Sequence, residues 1–219
     1  IHCSLEKEGP WPSFGLLDQS VFSQLDSTQT LVNAARGEVV NWPDLKRHLA
    51  GASPVRCVFD VWDREPGMDT AFLTVEAVQL ATPHIAGYSE DAKQVAAEML
   101  WNAMTEAGLV EAAVLPDRHL PQYSQKRSVH SEAERHESVW HDTARDLIRS
   151  CYRIVDDDRR LRELKGLPAS EAARAFDRLR KNYPHRRELA RLPISPESLG
   201  YEAKRLYQAL RSTDSRKIS

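Results

Sequence analysis

Three short apolar runs, each followed by a polar loop and then a segment of different character, constrain this chain more than any other feature. They are Thr30-Leu31-Val32, Val55 to Val61 (VRCVFDV) and Ala77 to Thr82 (AVQLAT). Short apolar strands separated by helical segments predict βαβ units feeding a parallel sheet with both faces covered by helices. The stretch after the first run agrees. Pro43 suits a first helical turn, Leu45 and Leu49 recur at i and i+4, and Gly51 is placed to end the helix. Upstream, Asp18 to Leu25 predicts a short helix, followed by a turn over Asp26 to Thr28. Gly37 closes the run Asn33 to Gly37 and reads as the residue that lets the backbone turn sharply. Ligands on such sheets bind beyond the carboxyl ends of the strands. Arg36, Glu65 and His84 each fall just past a predicted strand, so three polar side chains from separate segments are expected to converge.

The second half has a different texture. Ser89 can cap a helix whose stripe of Ala92, Val95, Ala96, Met99, Leu100, Ala103 and Met104 predicts a packed face, and Gly108 stops it. Residues 111–136 are rich in proline, serine and charge and read as a junction, with the boundary near Leu115. The expected division is residues 1–110, a junction over 111–136, and a second domain over 137–219. That second domain reads as mostly helical, with helices from Glu134 to Val155 and from Ser170 to Tyr183.

Composition excludes several classes. With 30 basic against 32 acidic residues, whole-chain charge gives no reason to seek a nucleic-acid or membrane partner. Cys3, Cys57 and Cys151 are odd in number and far apart, against a disulfide framework or zinc knuckle, and fit a reducing cytoplasm. No stretch approaches the roughly 18 apolar residues of a membrane span, and the start lacks the basic-then-apolar order of a signal peptide. His130, His136 and His141, interleaved with Glu132, Glu134 and Glu137, do not share one helical face, so no metal site is expected there.

The polar loops carry recognisable sequence: VNAARGEVV (Val32 to Val40), FDVWDREP (Phe59 to Pro66) and TPHIAGYS (Thr82 to Ser89). Taken singly, an arginine at a turn, a glutamate before proline, a histidine near a core edge and an aspartate ending a strand are ordinary. Three such stretches in one order, each where the sheet requires a loop, resemble the D-2-hydroxyacid dehydrogenases. The resemblance implies a Rossmann-type NAD-binding domain and puts the catalytic arginine, glutamate and histidine at Arg36, Glu65 and His84. The residue types suit the chemistry. Oxidising a 2-hydroxyacid needs a base with a pKa near neutrality, a carboxylate that orients the imidazole and favours its charged form, and a guanidinium that grips the substrate carboxylate. By the same resemblance NAD would meet Asp60, the backbone around Ala34, Ala35 and Gly87, and a loop containing His2 and Cys3. Cys3 read alone is a packing residue. Tyr88 matches a substrate-contacting position, although alone it reads as a packing aromatic beside a helix cap.

The tail narrows the resemblance. VDDDRRLRELKGLP (Val155 to Pro168) and FDRLRKNYPHRREL (Phe176 to Leu189) look like the C-terminal, α+β dimerisation domain of the branch that oxidises 4-phospho-D-erythronate in pyridoxal 5'-phosphate synthesis. The longer opening loop, His2 to Asp18, fits that branch too. The arginines of Arg178 to Arg187 would then serve a subunit interface, with a phosphate contact also open. The expected partners are a small phosphorylated 2-hydroxyacid and a second copy of the chain. No GxGxxG follows any predicted strand, and the family carries that turn upstream of the region matching His2. The expectation is therefore an incomplete copy that alone binds NAD weakly and does not turn over. Phosphoglycerate dehydrogenase, and a relative that binds NAD or a partner without turnover, stay open at this point.

Overall fold

The apolar runs form β1 (Thr30–Asn33), β2 (Arg56–Phe59) and β3 (Val78–Ala81) in a computed structural model that describes residues 1–110, 143–192 and 194–214. The strands are parallel, in the order β1-β2-β3. Asn33 lies opposite Phe59, and Phe59 opposite Ala81. The three strands thus end in one row, and the loops holding Arg36, Glu65 and His84 all leave from the same edge. Two short helices precede and follow β1. In α1 (Gln19–Phe22) the Asp18 carboxylate accepts from the Ser20 and Val21 amides. In α2 (Trp42–Leu49) the Asn41 side chain accepts from the Asp44 amide, and Pro43 sits in the first turn.

Beneath this edge lies an aromatic cluster. Trp42 stacks with Trp62 at 5.9 Å between ring centroids and meets Phe59 and Phe72 edge-on at 5.5 and 5.0 Å. Cys57 is wholly buried in the same core. Burial pushes its thiol up to about 12, so it packs and does not react.

Gly37 opens a tight 3-10 turn, Gly37–Val39, where a turn was expected, but its lack of a side chain serves a further purpose. A Cβ there would lie 1.9 Å from the Trp62 carbonyl oxygen and 2.3 Å from its carbon. Glycine is required because two loop backbones touch, the one after β1 and the one after β2.

The described residues pack as two units interleaved in sequence: Ile1–Ala86 with Ile154–Pro184, and Gly87–Arg153 with His185–Ser219. This differs from the contiguous division at residue 110. The reason is that α5 (Ile154–Arg162) and α6 (Ala169–Lys181) pack on the sheet. Their Leu161 and Phe176 are fully buried in the core that holds Phe59 and Val78, each contributing roughly 1.5–3 kcal/mol. The single helix expected over Glu134 to Val155 is also revised in its described part. Helix α4 (Ala144–Cys151) stops at Tyr152, whose backbone is extended at φ −155° and ψ 125°. The Tyr152 ring lies 4.4 Å from the Arg186 guanidinium. Residues 134–142, and with them His136 and His141 and also His130, lie outside the described residues.

The second unit contains α3 (Glu90–Glu106), α4 and α7 (Tyr201–Asp214). Its small core joins Leu147, Leu199, Ala203 and Tyr207. The start of α3 is held by its own tail. The Arg187 Nε donates to both oxygens of buried Asp91, at 3.0 and 2.9 Å, and the Glu188 amide donates to Asp91 at 2.7 Å. Ser89 caps Ala92 and donates to Glu188. Carboxylates suit this end of a helix dipole. The fork of Arg187 is therefore committed within the chain. The apolar stripe of α3, expected to pack, is only partly covered among the described residues: Ala92, Val95 and Met104 are half-buried, but Met99 is 67% and Leu100 62% exposed.

Two outcomes follow. Gly37→Ala forces one backbone off the other and is expected to cost about 2–3 kcal/mol, or roughly 2–4 °C of Tm per kcal/mol; an unchanged thermal transition would contradict the close approach. Burial pushes the Glu90 carboxyl up, but hydrogen bonds from His185 and Lys93 outweigh it and leave the group below its usual range. Its contribution is in place above the ordinary glutamate value of about 4.3 and is lost as pH falls through the depressed one. Amide exchange in the first turn of α3 is expected to rise, beyond the intrinsic pH effect, as pH drops through that range, and to stay flat if Glu90 carries no such role.

Candidate active site

Each loop at the carboxyl edge is fixed from below. After β1, the fully buried Asn33 side chain donates from Nδ2 to the Arg36 carbonyl at 2.9 Å and accepts from the Ala35 amide at 3.1 Å. The Trp42 indole donates to the Gly37 carbonyl at 2.9 Å. Arg36 is thus held on both sides while its side chain stays exposed, with Nη1 donating to the Ala35 carbonyl at 2.7 Å.

After β2, Arg64 adopts a left-handed backbone at φ 53° and turns the chain into Glu65. The Glu65 Oε1 accepts from the Trp62 amide at 2.7 Å, so one oxygen is anchored and the other points to its partner. That partner is His84, whose Nδ1 lies 2.7 Å from Oε2. A carboxylate oxygen accepts, so the tautomer with its proton on Nδ1 completes this bond and leaves Nε2 as an acceptor. The pair is mostly shielded, with Glu65 16% and His84 30% exposed in their side chains.

After β3, His84 itself takes a left-handed backbone at φ 56°, an uncommon conformation for a residue with a Cβ. The buried Asp60 carboxylate holds the loop there, accepting from the Thr82 hydroxyl at 2.6 Å and from the Ile85 and Ala86 amides at 2.8 and 2.9 Å. The Trp62 indole donates to the Thr82 carbonyl at 2.9 Å, and the Thr82 amide to the Phe59 carbonyl at 2.9 Å.

The fold therefore brings Glu65 and His84 into direct contact and joins Asp60 to them through the loop. Arg36 stands on the adjacent loop of the same edge, tied to Trp62 through Gly37; its guanidinium bonds Ala35 and neither member of the pair. Ala34 is exposed, whereas the amide and carbonyl of Ala35 are both used internally. Cys3 and His2 are exposed, so Cys3 does not pack. Gly87 and Tyr88 open the second unit, where the Lys93 ammonium lies 5.5 Å from the Tyr88 ring centroid. A cavity of about 250 Å³ lined by Trp42, Lys46, Trp62, Arg64, Met68 and Phe72 includes none of Arg36, Glu65 or His84. Among the described residues no group of three or more His, Cys, Asp or Glu could hold a metal ion, and no helix is long and apolar enough to cross a membrane.

Sequence reasoning missed the supports: Asn33, Trp42, Trp62 and Thr82. The one available signal was a polar residue at the carboxyl end of two of the strands, Asn33 as the last residue of β1 and Thr82 just after β3.

Comparison with known proteins bears on the family. Residues 1–86 match the family model of the D-isomer specific 2-hydroxyacid dehydrogenase NAD binding domain, and residues 125–211 match a domain of unknown function, DUF3410. An erythronate-4-phosphate dehydrogenase of Marinobacter nauticus is 36% identical over 196 residues, covering 89% of this chain and 49% of the relative. Enzymes of that name from Aeromonas salmonicida and Azotobacter vinelandii are each 35% identical, covering 89% and 97% of this chain and 48% and 53% of the relatives. The chain spans about half the length of the curated relatives it matches. Residues 1–86 are thus an α/β NAD-binding domain of the D-isomer specific 2-hydroxyacid dehydrogenase family.

Proposed function

We propose that the protein oxidises 4-phospho-D-erythronate to its 2-oxo acid with NAD, in pyridoxal 5'-phosphate synthesis in the cytoplasm, and that it works as a homodimer through its C-terminal region. The observation that carries this reading is the Glu65–His84 pair, 2.7 Å apart at the carboxyl edge of a parallel sheet, in a chain related to enzymes of that name.

The residues divide the work by their chemistry. Nε2 of His84 takes the proton from the substrate's 2-hydroxyl, and NAD, when bound, would supply the acceptor for the hydride on the same carbon. Glu65 keeps Nδ1–H in place and stabilises the imidazolium that forms. In the reverse direction the imidazolium returns the proton to the carbonyl oxygen. Arg36 has five N–H donors, of which one is used on Ala35, so a forked grip on the substrate carboxylate remains open to it. Tyr88 is assigned a second substrate contact.

The residues present suit the nicotinamide end of NAD. Ala34 exposes a small surface just past the end of β1, and the resemblance adds Gly87 and Cys3, both exposed. Asp60 has three acceptor positions occupied out of roughly four on a carboxylate, which leaves one for the carboxamide. A glycine-rich turn for the pyrophosphate is not among these residues, so that half of the cofactor is not assigned here.

In the protein assayed with 4-phospho-D-erythronate and NAD, His84→Ala is expected to keep its cofactor affinity while kcat falls by roughly 100-fold or more. Glu65→Gln is expected to lower kcat with little change in KM, because the amide holds the ring less well and does not balance its charge. Wild-type kcat in His84→Ala, or a native protein that binds NAD and never reduces it with the hydroxyacid, would refute the reading.

A further inference from the structure

Among the described residues, strand β3 is an edge of the sheet, paired with β2 on one side. A bare edge leaves backbone donors and acceptors open, yet two side chains of one helix occupy this one. The Ala81 amide, at the last residue of β3, donates to the Asp158 Oδ1 at 2.7 Å. The Arg162 guanidinium donates from Nη2 to the Val78 carbonyl at 2.6 Å, at the start of the strand, and from Nη1 to the Leu73 carbonyl at 2.7 Å, in the turn before it. Its Nε donates to both oxygens of Asp158, at 3.0 and 2.9 Å. Asp158 and Arg162 are one helical turn apart on α5, and the fully buried Leu161 between them fixes the helix to the sheet.

This bridge ends close to the histidine. Ala81 is followed by Thr82, whose amide, hydroxyl and carbonyl are all bonded, then by Pro83 and then by His84 in its left-handed conformation. Little slack separates the outer edge of β3 from the imidazole. We infer that Asp158 and Arg162 are positioning residues for His84, so that the C-terminal segment, which lies in the region matching a domain of unknown function, braces the strand that leads into His84 in place of a fourth strand. The inference rests on the proposed role of the Glu65–His84 pair, but its test reads the pair's geometry without turnover, so the two can fail separately.

The test compares Arg162→Lys, which keeps the charge but cannot span three acceptors, and Asp158→Asn, which keeps the shape but loses the ionic fork, with Leu161→Ala, which removes packing and leaves the bridge. In nitrogen-15-labelled protein, two signals are followed: amide exchange at Ala81 and the far-downfield proton on Nδ1 of His84. In both bridge variants Ala81 exchange is expected to rise about tenfold or more, and the His84 signal to broaden or disappear. Leu161→Ala is expected to lower Tm at least as much as either while keeping the His84 signal. A His84 signal unchanged in folded Arg162→Lys and Asp158→Asn would overturn the inference. So would its loss in all three in proportion to Tm, which would make the bridge merely stabilising.

Discussion

The site depends on one buried carboxylate. Asp60 is 7% exposed, and a charge so enclosed is tolerated only when its hydrogen bonds are met. They are met by donors from a single loop: the Thr82 hydroxyl and the Ile85 and Ala86 amides. Satisfying Asp60 therefore forces the chain after β3 to wrap around it, and His84 stands between those donors. The unusual backbone of His84 follows from that wrapping. Its pairing with Glu65 follows in turn, because Glu65 is tethered by the Trp62 amide on the neighbouring loop.

The two tryptophans extend the same logic to the whole edge. Each buries its ring in one aromatic cluster and donates its single indole N–H to a different loop, Trp42 to Gly37 and Trp62 to Thr82. The loops that carry Arg36 and His84 are thereby referenced to one packed layer. Gly37 completes this by letting its backbone rest on that of Trp62. On the far side of β3, the Asp158–Arg162 bridge does with two side chains what another strand would do with backbone, and it gives the tail a part in the architecture of the site.

How much of this was legible in the sequence depended on distance along the chain. The strands were legible because their apolar runs are local, and the parallel arrangement because helical segments separate them. Arg36, Glu65 and His84 stood out because motif and predicted strand ends coincided. Gly37 was legible as part of a turn but not as the point where two backbones touch, since that contact is a tertiary fact. The cationic run through Arg187 was read as serving a subunit interface or a phosphate, because the Asp91 that engages Arg187 lies 96 residues away. The break at Tyr152 and the return of α5 and α6 to the sheet were likewise hidden, because periodicity marks a helix and not the core it joins. The stripe on α3 was legible as apolar, but periodicity alone does not say what covers it.

The central claim is that Arg36 and His84 act on one substrate at the carboxyl edge of the sheet, with Glu65 behind the histidine. A crystal structure of the protein with NAD and 4-phospho-D-erythronate tests it most directly. The account requires the Arg36 guanidinium on the ligand's carboxylate and Nε2 of His84 within hydrogen-bond reach of its 2-hydroxyl. A ligand that meets only one of those side chains, or lies away from the strand ends, would contradict it.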